Sequence, residues 1–275
     1  MTASRPSLGM ALRTQGPEST RETIVECARA AEDAGLDALW VPDHIAIPPD
    51  EAEGSGGRYL DPLGMLLFLT GHTRRIGLAT GALILPYRPI VPTAKLIATL
   101  QELSGGRLQL GVGAGWMKPE FRAVGVDYAR RGAITDETLE FLNRSFAEDV
   151  GETHGQPWLF LPRPPRPPIL VGGGAPHALE RAARYGDGWL PMEREPDRLR
   201  AGVSELRQRF AEAGKPEPRV EVYTGLPVGE RARLEDAVSE MGEAGATGII
   251  HFAGRYGDAS TYRTHVEALG ELLES

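Results

Sequence analysis

An acid and a histidine stand side by side at Asp43–His44, directly after the apolar run at residues 37–41. A histidine exchanges protons near neutral pH, and an acid next to it in sequence points elsewhere, so the two need not pair. The alternative reading is a helix-capping or backbone-bonding histidine. Three glycine-rich stretches could hold a flat or phosphate-bearing ligand. Gly81–Ala82 precedes LILPYRP, where a glycine lets a ring approach the backbone closely. Gly111, Gly113, Ala114 and Gly115 run into Trp116 as GVGAGW, and the tryptophan breaks the dinucleotide-binding fingerprint. Gly172, Gly173 and Gly174 lead to Ala175–Pro176 at an expected helix start, whose free N–H groups would suit a phosphate. Plain strand ends, small-residue packing and a tight turn are the competing readings. The six histidines form neither HxH nor HExxH, and no GxSxG elbow occurs, so neither a metal site nor a serine nucleophile is expected.

The segments that must position these residues alternate between strand and helix. Strands are expected at 7–12, 37–41, 76–80, 107–112, 169–171, 188–190, 220–224 and 247–252. Helices are expected at 19–34, 61–72, 89–103, 135–149, 175–185, 196–213, 231–244 and 259–273. Ser19 and Glu22 read as a capping box for the first helix, and Pro62 suits a first turn. Eight βα units predict one (β/α)8 TIM barrel over residues 1–275, with the glycine loops and Asp43–His44 at the strands' C-terminal tips. Two segments exceed a minimal unit. Residues 48–59 are read as an insertion loop after the second strand and a potential lid. Residues 151–168, with PRPPRPP, are read as a polyproline connector before the fifth strand.

Composition narrows the function further. The chain has 275 residues, a net charge of −8 and 41% hydrophobic residues, so a large core is expected and nucleic acid is not. No apolar run of 18 residues occurs, and the first residues lack a secretion signal, so no membrane partner is expected. The lone Cys27 excludes an internal disulfide, suits a reducing cytoplasm and is read as core.

Three blocks together, AEDAGLDALWVPDH (31–44), residues 76–116 with Glu120–Phe121, and PPILVGGGAPHALERAARYGDGWLP (167–191), resemble the luciferase-like monooxygenase superfamily. These are barrel enzymes that use FMN or the deazaflavin coenzyme F420, and the likeness is nearest to F420-dependent oxidoreductases of actinobacterial type. The resemblance implies that Asp43 and His44 flank the reactive face of the deazaflavin. It also implies a non-prolyl cis peptide at Gly81–Ala82 backing the ring, contacts from Gly113, Ala114, Gly115 and Trp116, and a phosphate clamp at Gly172, Gly173, Gly174 and Ala175. Relatives that oxidise sugar phosphates carry a proton-handling glutamate where Trp116 stands. Glu120, one helical turn on, is read as pointing elsewhere, so sugar-phosphate oxidation is not expected.

The expected activity is hydride transfer between F420 and a small organic substrate, with His44 handling the proton, in a cytoplasmic homodimer. Alternatives are an FMN-dependent monooxygenase fed by a separate reductase, a non-catalytic deazaflavin-binding protein, and a phosphate-binding barrel isomerase or aldolase. No lysine stands at a strand tip, which counts against a Schiff-base aldolase. The 48–59 loop, Tyr87, Trp116 and residues 191–195 are expected to shape the substrate pocket.

Overall fold

A computed structural model describes residues 5–254 and 259–274. Eight short strands are nearly continuous in apolar or small residues, as strands covered on both faces must be. They are β1 (Ser7–Ala11), β2 (Ala38–Val41), β3 (Gly77–Ile84), β4 (Leu108–Gly113), β7 (Ile169–Gly173), β8 (Gly188–Pro191), β9 (Arg219–Thr224) and β10 (Gly248–His251). All pair in parallel and close into a barrel in the order β1-β10-β9-β8-β7-β4-β3-β2. The TIM-barrel expectation therefore holds.

The surrounding helices are α1 (Arg21–Asp33), α2 (Pro62–Thr70), α3 (Ile90–Leu103), α4 (Lys118–Ala123), α5 (Arg131–Ala147), α6 (His177–Tyr185), α7 (Pro196–Glu212), α8 (Arg231–Glu243) and α9 (Ala259–Leu273). Leu8, Leu39, Leu78, Leu110, Ile169, Val222 and Ile249 pack outward against the helices. Cys27 is buried in that core. Inside the barrel, Ala38, Trp40, Ala79, Leu170, Leu190 and Ile250 form a second apolar cluster, with Ala11, Ala82 and Tyr223 packed against it. Nearer the strand starts, Arg219 bonds both Gln109 (2.6 Å) and Glu221 (2.7 Å), giving the buried Glu221 carboxyl a cationic partner. No helix among the described residues is long and apolar enough to cross a membrane.

Three local expectations are corrected. Thr20, not Ser19, caps α1: its hydroxyl accepts from the Thr23 amide (3.2 Å), while Ser19 Oγ donates to the Gly16 carbonyl (2.6 Å). The segment read as a polyproline connector begins as an antiparallel hairpin, β5 (Val150–Thr153) with β6 (Gln156–Leu159), reversing at His154–Gly155, where both φ angles are positive. Trp158 anchors the hairpin, donating its indole N–H to Thr153 Oγ1 and packing against Phe160. Helix α6 opens at His177 rather than at Ala175, after a cis Ala175–Pro176 peptide. The insertion after β2 contains a single 3-10 turn at Pro49–Glu51. Its far end is fastened to the loop after β1 by backbone bonds from Gly16 to Arg58 (3.0 Å) and from Leu60 to Thr14 (3.0 Å).

Candidate active site

His44 and Asp43 leave the tip of β2 in different directions, into different partners. The Asp43 side chain is fully buried. Its carboxylate takes both terminal nitrogens of Arg88 (2.5 and 2.9 Å) and the Ile84 amide (2.8 Å). Arg88 also reaches Asp61 (2.8 Å), which caps α2. Burial pushes the Asp43 carboxyl above its ordinary value against the pull of Arg88. Burial works against the Arg88 charge too, yet its bonds to Asp43 and Asp61 hold its pKa above the usual value. The triad fixes the end of β3 to the end of β2 and leaves Asp43 fully engaged.

His44 is tied instead to Glu120. Nδ1 lies 3.1 Å from Glu120 Oε2, which also accepts from the Tyr87 hydroxyl (2.9 Å), while Oε1 accepts from the amides of Ile45 (2.7 Å) and Ala46 (3.0 Å). Burial alone would raise the Glu120 carboxyl. The bonds from His44 and the two amides outweigh it and bring the carboxyl down to about 2, so it is ionised at neutral pH. Burial and the neighbouring carboxylate push the Tyr87 hydroxyl upward, so it stays a donor. An ionised carboxylate can only accept, so Nδ1 of His44 carries the hydrogen and Nε2 is left for other chemistry. The ring is 21% exposed and lies beside Tyr59 (4.9 Å between centroids) and edge-on to Trp116 (6.4 Å).

Glu120 thus points at His44, contrary to the sequence expectation, because Gly115 turns the chain. Its φ of +80° is open to glycine, and a Cβ there would strike Ile84 and Phe121 at 2.7 and 2.9 Å. After that turn Trp116 faces outward, 66% exposed, and the first turn of α4 carries Glu120 inward. Tyr87 stands behind Glu120 rather than lining a pocket, in edge contact with Phe121. Arg88 was missed as a site residue, Glu120 was read as pointing elsewhere, and Tyr59 was expected only as part of the 48–59 loop. Arg88 and Glu120 lie 45 and 76 residues from their partners, and the YRP that follows β3 and the Glu120–Phe121 pair were the only hints of them.

The glycines build a floor. The Gly81–Ala82 peptide is cis. The β3–β4 register shifts between Thr80 and Leu83, and Ala82 packs against the barrel's interior cluster. Cβ atoms built on Gly113 or Gly172 would each lie 3.5 Å from the Ala82 methyl. Three strands therefore present backbone around one methyl group. Beyond it, the Gly173 carbonyl accepts from the Trp189 indole (2.8 Å), Gly174 and Ala175 are exposed, and no side chain caps the start of α6. Ala114 and Gly115 continue the floor's rim after β4.

The mouth holds a pocket of about 300 Å³ bordered by Leu12, Thr14, Pro42, Gly81, Tyr223 and Phe252. A larger hollow of about 740 Å³ lies on the barrel's flank between α1 and α9 and shares no residue with the mouth. At the end of β10, separated from β2 only by β1, buried His251 accepts the Leu226 amide at Nδ1 (3.0 Å) and contacts His265 Nδ1 through Nε2 (2.8 Å). Burial, with His265 beside it, lowers the His251 pKa to about 4. Among the described residues no group of histidine, cysteine and acidic side chains could hold a metal.

Residues 7–273 match the profile of the luciferase-like monooxygenase family. An uncharacterized protein of Mycobacterium bovis is 34% identical over 233 residues, covering 77% of this chain and 81% of that protein. An F420-dependent glucose-6-phosphate dehydrogenase of Amycolatopsis mediterranei is 30% identical over 198 residues, 66% of this chain and 58% of that one. Among solved structures, an F420-dependent secondary alcohol dehydrogenase in complex with an F420-acetone adduct superposes with a TM-score of 0.79 at 16% identity, covering 98% of each chain.

Proposed function

The chain belongs to the luciferase-like monooxygenase family, and we propose that it is a cytoplasmic F420-dependent oxidoreductase moving hydride between the deazaflavin and a small organic substrate. One observation carries this reading. His44 is held by ionised Glu120 with no bond to Nε2 among the described residues, at the same strand-tip end of the barrel as a methyl-and-backbone floor that a planar ring can cover.

The residues present fit such a cofactor. A Cβ at Gly113 would press on Ile84 at 3.2 Å and one at Gly172 on the Val112 carbonyl at 3.0 Å, and either would touch Ala82 at 3.5 Å, so glycine keeps the floor flat. Gly81, Ala82, Gly113, Ala114, Gly115 and Trp116 would hold the ring, and Gly172, Gly173, Gly174 and Ala175 the phosphate end. When bound, the deazaflavin supplies the carbon that gives or takes the hydride. The remaining work falls to side chains. His44 Nε2 takes the proton from a substrate hydroxyl, or returns it to a carbonyl oxygen. Glu120 fixes the ring's tautomer and offsets imidazolium charge, as a buried carboxylate does for a catalytic histidine. Asp43 acts as a positioning residue, through Arg88 and the Ile84 amide that begins the turn after the floor.

Reduced cofactor would come from a separate reductase. The protein would be a homodimer, a reading supported by exposed Val150, Leu159 and Leu161 around the hairpin. An anaerobic stopped-flow assay following F420 absorbance tests the function. His44→Ala should lower turnover by about 10²-fold or more with cofactor binding kept. Unchanged turnover would remove His44 from the chemistry, and oxygen uptake with reduced FMN would favour a monooxygenase.

A further inference from the structure

Two hydroxyls in the mouth have no partner among the described residues. Tyr223 OH and Thr14 Oγ1 are buried without a hydrogen bond, and both residues line the 300 Å³ pocket. Buried polar groups are nearly always satisfied, so a pair left open in one cavity marks where a ligand completes them. Tyr223 lies at the end of β9 and Thr14 in the loop after β1, on strands separated only by β10. The Tyr223 ring is fixed edge-on to Trp40, 6.3 Å between centroids, and its hydroxyl lies over Gly81, where a Cβ would come within 2.2 Å of it. Burial pushes the phenol upward, so it remains a protonated donor.

The rest of the lining decides the ligand's class. Leu12, Pro42 and Phe252 are apolar. The single charged group among the described lining residues, Arg13, is neutralised by Glu18 at 2.9 Å and also donates to the Gln15 carbonyl. A carboxylate or phosphate entering here would lose water without gaining a free cation. A neutral oxygen flanked by hydrocarbon would gain two hydroxyl donors and apolar walls. The volume is at the small end of the roughly 300–1,000 Å³ typical of ligand pockets.

We infer that this pocket is the substrate subsite for a small, uncharged alcohol or carbonyl compound, whose oxygen is bound by the Tyr223 and Thr14 hydroxyls. The inference rests on the oxidoreductase reading for the word substrate, but the binding it claims stands apart from the cofactor.

The test uses the purified full chain and the probes acetone, 2-butanol, cyclopentanone and cyclohexanone, with cyclohexanecarboxylate as the charged counterpart. Affinities are read by ligand-observed NMR on wild type, Tyr223→Phe and Thr14→Val, and F420 is titrated separately by fluorescence. The neutral probes should bind better than the carboxylate, and each variant should weaken them about tenfold while F420 affinity stays within about twofold. The unliganded variants should melt no lower than wild type, since each loses a hydroxyl without a partner. Failure of all neutral probes to bind wild type, tighter binding of the carboxylate, or no effect of either substitution would overturn the subsite. So would a loss of F420 affinity in the variants, which would give the hydroxyls to the cofactor. If wild type binds the ketones but not F420, the cofactor reading fails and the pocket assignment survives.

Discussion

His44 Nδ1 and Glu120 Oε2 lie 3.1 Å apart, joining the tip of β2 to the first turn of α4 across 76 residues of chain. The glutamate is almost wholly buried and collects three further donors, so its charge is fixed in place before any ligand arrives. That one contact sets which nitrogen of His44 faces the mouth.

Glu120→Gln should therefore damage catalysis without emptying the site. The amide can donate where the carboxylate only accepted, so His44 would turn its lone pair toward residue 120. Turnover should fall by roughly 10²-fold or more with KM little changed. Nitrogen-15 NMR should show Nδ1–H on His44 in the wild type and the opposite tautomer in the variant. His251 should show Nε2–H in both, since its Nδ1 accepts the Leu226 amide. Wild-type-like turnover in Glu120→Gln would end the tautomer argument.

Arg88→Ala would strand the buried Asp43 carboxylate. Breaking such a pair from one side costs about 3–5 kcal/mol, so thermal unfolding should move down by roughly 10 °C. Lysine in its place should recover only part of the loss, because an ammonium cannot repeat the two-pronged contact with Asp43 while reaching Asp61. A melting point unchanged in Arg88→Ala would show that the pair contributes nothing.

Acid should destabilise the fold in two overlapping windows. His251 has its pKa lowered from 6.5 to about 4, so the unfolded chain binds the proton more readily. Stability then falls as pH drops from about 6.5 to about 4. Glu120 has its pKa lowered from 4.5 to about 2, so its contribution is present above about 4.5 and is lost toward about 2. Each shift is worth up to about 3 kcal/mol. Denaturant titrations at stepped pH should show the first window flattened in His251→Gln and retained in Glu120→Gln.

Gly113→Ala tests the floor. The added methyl would meet the mobile Ile84 Cδ1 at 3.2 Å and the Ala82 methyl at 3.5 Å, so the barrel should still form while the surface above Ala82 becomes uneven. F420 affinity should drop about tenfold with the melting point nearly unchanged. Equal affinity would mean that the ring lies elsewhere.

Much of this architecture was legible in the chain. Each strand is a short apolar or small-residue run between turn signals, and that local pattern survives into the barrel. The Asp43–His44 pair and the glycines toward the ends of β3, β4 and β7 were visible for the same reason: they sit at or near strand tips. The pairings were not visible. Arg88 looks like an ordinary surface charge until the barrel closes, and Glu120, read from the chain as pointing elsewhere, faces inward after the positive-φ turn at Gly115. Tyr223 and Thr14 offer no local signal, since what singles them out is a missing partner in three dimensions. The β5–β6 hairpin was hidden by the prolines after it.

The cofactor decides the account, and a direct titration tests it. Purified protein should quench F420 fluorescence with saturable, micromolar or tighter affinity, and calorimetry should find FMN weaker by roughly tenfold or more. Equal or tighter binding of FMN would contradict the hydride-transfer reading.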